Sequence, residues 1–265
     1  MREIETLALA ESPREQFNAA GSAAAVMNST PAAAPADVTA AYYEAYYRGR
    51  GADRNSLSNP EVLFQSLAME ASVIRALGSL PIDPADSRLL DVGCGDGANL
   101  FQLLRMRFQS DKIVGVDLMP ERIAGAQRLH PGVEWRQADA RKLPFASQSF
   151  DVIFESTMFT TIVDDSTAQA IANEMQRVCR TGGWIVLVDW WMPKPGDTTV
   201  KALTRQRLRR LFDLKATLRF DKQFAGALAP PLGRFLSRRC PAAYFAVAAV
   251  FPFTVAQGVY LLQKK

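Results

Sequence analysis

Histidine is almost absent from this chain: His130 is the only one in 265 residues. Cysteine is nearly as scarce, and Cys94, Cys179 and Cys240 stand far apart with no C-x-x-C spacing. Three separated thiols make no disulfide framework, and so few soft ligands make no structural zinc site. The composition therefore points to a reducing, cytoplasmic setting and to a protein without a metal. A basic start is lacking too. Glu3, Glu5 and Glu11 lie where a signal peptide carries positive charge, and no long apolar core follows. The stretch Ala19 to Asp37 is rich in Ala, Ser and Pro, so residues 1–37 are expected to be a disordered or loose leader.

Long charge-free runs that are also strongly apolar are missing with one exception. Cys240 to Leu262 carries no charge over 23 residues, enough to span a bilayer on length alone. Pro252 interrupts it, and Gln257 and Gly258 would lie in the apolar slab. An Ala-rich helix over 242–250 followed by a strand over 258–262 is the expectation, with no transmembrane segment. What remains is ordinary for a globular chain: 48% hydrophobic and 22% charged residues. The net charge of +4 is unevenly spread. Residues 201–239 hold eleven Lys or Arg against two acids, Asp213 and Asp221. Such a segment suits either a solvated helix face or an anionic partner: RNA, a phosphorylated substrate or a membrane surface.

From Arg88 the pattern alternates. Apolar runs at 89–92, 113–117, 133–137, 150–154 and 184–189 predict strands. Helical periodicity predicts helices over 98–108, 120–129, 168–180 and 198–212, and upstream over 60–77. Weaker strands are expected near 216–220 and 259–262. The runs lack polar alternation, as strands covered on both faces do, which predicts an α/β, doubly wound parallel sheet.

The first strand leads into Asp91-Val92-Gly93-Cys94-Gly95-Asp96-Gly97-Ala98. Gly93, Gly95 and Ala98 fit a dinucleotide fingerprint, with Asp117 about 20 residues on as its ribose acid. Asp91 speaks against a pyrophosphate, because a carboxylate there would repel it. S-adenosylmethionine carries an ammonium and a sulfonium and no phosphate, so the same acid would attract it. A dehydrogenase using NAD, or a non-catalytic nucleotide-binding module, remains the alternative from another class.

Leu89–Ala98, Asp117, Ala138-Asp139-Ala140, Phe150–Glu155 and Arg180–Gly183 together resemble a class I S-adenosylmethionine-dependent methyltransferase. The resemblance spans about residues 85–192. It implies a Rossmann-like, mostly parallel seven-stranded sheet with helices on both faces. The domain would cover 38–265, with a helical cap over 38–84, a cofactor-binding core over 85–192 and C-terminal helices and strands over 193–265. It further implies S-adenosylmethionine as cofactor. Gly93, Cys94 and Gly95 would approach its methionine part, with Asp91 beside the amino group. Asp117 would accept the ribose hydroxyls, and Leu118 and Met119 would pack on the adenine. Asp139 would meet the adenine amino group with Ala140 beside it, and Glu155 would face donor and acceptor.

The reaction is an in-line displacement in which the protein chiefly aligns the partners. Glu155 and Asp189, at strand tips, are the candidate general bases. Cys94 is expected to be a small turn residue, Asp96 a helix N-terminal acid, His130 structural, and Asp164 and Asp165 starters of a helix. No Asp/Asn-Pro-Pro-aromatic sequence follows the fourth strand; Glu155-Ser156-Thr157-Met158-Phe159 stands there instead. That departs from enzymes methylating base or amide nitrogens. The same run, with Leu228-Ala229-Pro230-Pro231-Leu232, resembles bacterial methyltransferases of small molecules or saccharides. The expected acceptor is a small, partly apolar molecule methylated at oxygen; RNA or a lipid-linked anionic glycan is the alternative. Trp190, Trp191, Met192, Phe159 and tyrosines 42, 43, 46 and 47 are expected around the acceptor, and Tyr47 and Arg50 near the donor's carboxylate; the alternative is core packing of an N-terminal helix against the sheet.

Overall fold

Apolar runs without alternation build the middle of a sheet. In the computed structural model, which describes residues 57–194, 196–214 and 216–265, the strands are β1 (Leu89–Val92), β2 (Ile113–Asp117), β3 (Glu134–Gln137), β4 (Phe150–Ser156), β5 (Cys179–Trp190), β6 (Leu218–Ala225) and β7 (Gln257–Lys264). Their order across the sheet is β3-β2-β1-β4-β5-β7-β6. Every pair from β3 to β5 is parallel, and β7 lies antiparallel between β5 and β6. This is the mostly parallel, seven-stranded, doubly wound sheet. The expected leader over 1–37, the aromatic patch at 42–47 and Arg50 lie outside the described residues.

Successive strand residues point to opposite faces, so each strand feeds two cores. Leu90, Val92, Val114, Val116, Ile153, Ile185 and Leu187 pack on one side under α4 (Asp165–Val178) and α5 (Arg205–Leu211). Leu89, Ile113, Val152, Phe154 and Val186 pack on the other under α1 (Leu63–Gly78), α2 (Leu100–Arg105) and α3 (Pro120–Leu129). All of these strand residues are buried, each contributing about 1.5–3 kcal/mol. Gly115 on β2 makes room for a neighbour: a side chain there would meet the Trp135 ring at 2.3 Å.

The chain steps outward from β1 to β2 and β3, then returns across β1 to β4. The crevice at that reversal lies at the carboxyl ends of β1 and β4, where open α/β sheets bind ligands. Register sets Val92 against Glu155, and Asp91 against Gly115 and Phe154, so the two acids stand one step apart on adjacent strands.

Several boundaries moved for local reasons. The helix expected over 98–108 is only Leu100–Arg105, because Gly97 at φ 84° and Arg107 at φ 72° close it at both ends. The helix expected from 198 begins at Arg205, with the Thr204 side chain accepting from Arg207 N. Before it, Lys201 N donates to Thr160 O and Leu203 N to Trp190 O, which keeps that stretch against the strand ends. The gap between the expected helix over 168–180 and the expected strand from 184 lies inside β5. Phe150 pairs with Cys179 and Val152 already with Trp184, so the four residues between bulge out at Gly182 (φ 76°). Asp164 caps α4 by accepting from Thr167 N at 2.7 Å, as its position suggested. Among the described residues no helix is long and apolar enough to cross a membrane.

Candidate active site

The glycine turn is a backbone structure held by β2. Gly93 N and Cys94 N both donate to Val116 O, at 2.8 and 3.0 Å. Gly93, Gly95 and Gly97 have φ of 75°, 60° and 84°, a region that L side chains rarely enter. At Gly95 the space is closed as well, since a Cβ would lie 2.5 Å from the Arg122 guanidinium. Cys94 is buried and its thiol is pushed far up by that burial, so it serves as a small turn residue and not as a nucleophile.

Asp117 ties the two βα turns together. Its Oδ2 accepts from Gly95 N and its Oδ1 from Met119 N, each at 2.9 Å. Each oxygen keeps acceptor capacity for one more donor. Met119 is buried beside it and Leu118 half-buried. Asp139, after β3, is gripped by Arg141, whose Nη2 donates to Oδ2 at 2.6 Å and whose backbone N donates to Oδ1 at 2.9 Å. That hydrogen bonding holds the Asp139 carboxyl below the usual carboxylate range. Ala140 beside it packs against the core.

Asp91 and Glu155 sit at the tips of adjacent strands and are both buried. Asp91 Oδ2 accepts from Asn99 Nδ2 at 3.2 Å; its Oδ1 has no partner among the described residues. Burial, with Asp117 nearby, pushes the Asp91 carboxyl up to about 7. Glu155 Oε1 accepts from Met158 N at 2.5 Å and Phe159 N at 3.4 Å, while its Oε2 also lacks a partner among the described residues. Its carboxyl is raised well above the ordinary value, by burial first and then by Asp189 and Asp91.

Asp189 is the opposite case. Its Oδ2 accepts from Thr160 N at 2.9 Å, and its Oδ1 accepts from Trp190 N at 2.7 Å and from the Thr160 hydroxyl. It clamps the tip of β5 to the 3₁₀ turn Phe159–Thr161. Arg207, buried, fastens the same turn by donating to Phe159 O at 2.9 Å and Ile162 O at 2.5 Å.

The aromatic pocket expected after β4 and β5 is largely core instead. Phe159 is fully buried with its ring edge-on to Phe212 at 5.6 Å. Trp191 lies over Gly258, packs on Tyr260 at 5.7 Å and donates Nε1 to Val255 O at 2.8 Å. Trp190 is half-buried and Met192 exposed. His130 ends α3 and packs on Trp135, behind the glycine turn.

Three residues escaped the sequence. Among the described residues Asn99 is the one side chain that donates to Asp91, and an amide eight residues after a strand acid was its only signal. Met158 covers Gly93, its sulfur 3.1 Å from where a Cβ would be. Thr157 holds φ 65°, a left-handed conformation that is rare for a β-branched residue, and nothing in the sequence marks it.

Residues 89–183 match the family model described as a methyltransferase domain. Among curated proteins, a phosphatidylethanolamine N-methyltransferase of Cereibacter sphaeroides is 31% identical over 132 residues, 47% of this chain and 62% of the relative. A 2-phytyl-1,4-naphtoquinone methyltransferase of Synechocystis is 30% identical over 161 residues, 58% of this chain and 65% of the relative. The chain thus spans a little under two thirds of these relatives. Among solved structures, geranyl diphosphate C-methyltransferase of Streptomyces coelicolor shares the fold, with a TM-score of 0.59 and 16% identity over 88% of this chain and 98% of that one. The segment 89–183 is thus similar to methyltransferase domains, and the sheet around it has the fold of a solved methyltransferase.

Proposed function

We propose that this protein transfers the methyl group of S-adenosylmethionine to a small, partly apolar acceptor, at oxygen. One observation carries the proposal: Asp91 Oδ1 and Glu155 Oε2 are buried carboxylate oxygens without partners among the described residues, at the ends of adjacent strands at the switch point. Burying acceptor-only groups in this way is costly unless a cation or a donor completes them. The turn beside them holds Gly93, Gly95 and Gly97 in left-handed backbone, a shape that keeps Cβ atoms off the loop.

The donor, when bound, supplies a methyl group already activated by its sulfonium. Asp91 would hold its ammonium and Asp117 its ribose hydroxyls, charged hydrogen bonds of the strong kind. Backbone of Gly93, Cys94 and Gly95 would line the methionine part. Leu118 and Met119 would flank the adenine, with Asp139 and Ala140 at its edge. Glu155, with a free oxygen and a raised proton affinity, takes the proton of an acceptor hydroxyl as the methyl is transferred. Asp189 has its oxygens occupied and acts by positioning the turn that follows Glu155.

Two features support an apolar acceptor. The relatives above are named for a phospholipid and a prenylated naphthoquinone, and the fold neighbour for a prenyl diphosphate. The basic segment 201–239 offers a polyanion less than its composition suggests. Lys201 and Arg207 pair with Asp165, Arg219 with Asp221 and Arg238 with Glu61.

The test is incubation with isotope-labelled donor and pools of hydroxylated lipids, quinols and glycans, with mass detection of one added CH2 unit. Product in the quinol or lipid pool is the expected result. A thermal shift with NAD and none with S-adenosylmethionine would overturn the proposal.

A further inference from the structure

The connection between β6 and β7 carries α6 (Pro230–Arg239), α7 (Ala243–Val250) and a 3₁₀ turn, Pro252–Thr254. Ala225 pairs with Gly258, and Gln257 with Trp190, so this connection stands at the same end of the sheet as Asp189 and the glycine turn. Its inner side is well anchored. Tyr244 is buried and accepts through its hydroxyl from Leu228 N at 3.2 Å. Ser237 donates to Pro60 O at 2.5 Å, and Phe64 packs on Tyr244 at 6.0 Å.

Its outer side does not fit water. Tyr244 is the only buried residue of α7, yet the helix (AYFAVAAV) has no other polar side chain. Phe253 is 74% exposed, Val250 68%, Phe235 61%, and Phe245 and Phe251 close to half. Five large apolar side chains on consecutive elements are more than scattered surface residues need. Beside them α6 presents Arg234, Arg238 and Arg239, all exposed, with Phe235 and Arg239 one turn apart on the same face. No Asp or Glu occurs anywhere from 222 to 265.

We infer that the α6–α7 face docks on an anionic lipid surface, the phenylalanines entering the headgroup boundary and the α6 arginines meeting the phosphates. Charge selects this occupant. An apolar face rimmed by Arg234 and Arg239, with Arg238 paired to Glu61 and no acid in residues 222–265, complements anionic headgroups. A second copy is disfavoured, because a two-fold interface sets a patch against itself and would oppose the same arginines. The inference is separate from the methyl-transfer proposal, since docking needs no donor and no turnover.

The experiment is vesicle flotation of the full-length protein in about 0.1 M salt, where charges act over about 10 Å. Vesicles of phosphatidylglycerol mixed into phosphatidylcholine should carry the protein up, and pure phosphatidylcholine should do so several-fold less. Phe253→Ser and Phe235→Ser should each lower partitioning by about tenfold. Arg234→Glu with Arg239→Glu should lower it by about 25-fold or more. These side chains are exposed, so unchanged melting temperatures will separate lost docking from lost folding. Failure to float with anionic vesicles, or equal flotation of the variants, would overturn the inference. So would a dimer that dissociates on Phe253→Ser, or an intramolecular cross-link from a photoreactive group at position 253 to residues 1–56.

Discussion

Two pairs of buried acids divide the site. Asp117 and Asp189 accept backbone N–H groups on both oxygens, and each ties one loop to another. Asp91 and Glu155 each leave one oxygen without a partner among the described residues. The first pair is part of the frame that the chain completes by itself. The second is left unfinished by the described residues, and a group that completes it brings positive charge or a proton. A buried acid is thus informative through its missing hydrogen bond more than through its burial.

The strongest way to break this contrast is Glu155→Gln. If Glu155 is the base, the variant loses between about 10² and 10⁴-fold in kcat while donor binding stays close to normal, as calorimetry would read. Equal kcat would reduce Glu155 to a structural acid like Asp189. Next is Asp189→Ala, which strands Thr160 N–H, the Thr160 hydroxyl and Trp190 N–H. Denaturant unfolding should show a loss of about 3 kcal/mol or more. Asp117→Ala should weaken donor binding by about 1.5–3 kcal/mol, the size of a charged hydrogen bond.

A smaller effect sharpens the electrostatic side. Asp91 binds its proton more tightly folded than unfolded, with values of about 7 and 3.8. Stability without donor should therefore fall as pH rises from about 4 to about 7, then level off, and Glu155 pulls the same way. Donor affinity should run oppositely, rising about tenfold from pH 6 to pH 8 as Asp91 ionises. Asp91→Asn should flatten that affinity profile and stabilise the donor-free protein at pH 8. Smallest is Thr157→Gly, which relieves the left-handed strain and should raise stability by up to about 1 kcal/mol. A loss of activity in that variant would tie the strain to the placement of Met158 and Glu155.

The sheet was legible because its causes are local. Leu89–Val92 and Ile113–Asp117 are apolar runs bounded by glycines and acids, and the structure places both strands where the pattern does. Asp91 stood out in the sequence for its charge beside the glycines, and the structure buries it with one oxygen unpartnered among the described residues. The aromatic readings failed for the converse reason. Phe159 and Trp191 follow strand ends, where no periodicity fixes direction, and their partners Phe212 and Tyr260 are distant in sequence. The occupancy of Asp189 was hidden likewise, as Thr160 is 29 positions away. The exposed apolar side of α7 was visible in composition only as a run without charge. The fold decided that it faces outward.

Ala225 and Gly258 are ladder neighbours, so the chain departs from the sheet and rejoins it at nearly one point. Everything between them hangs as a closed handle on a frame whose strand order it does not affect. Such a handle is an exchangeable cassette: its length and chemistry are free to change while the donor half beneath stays as it is.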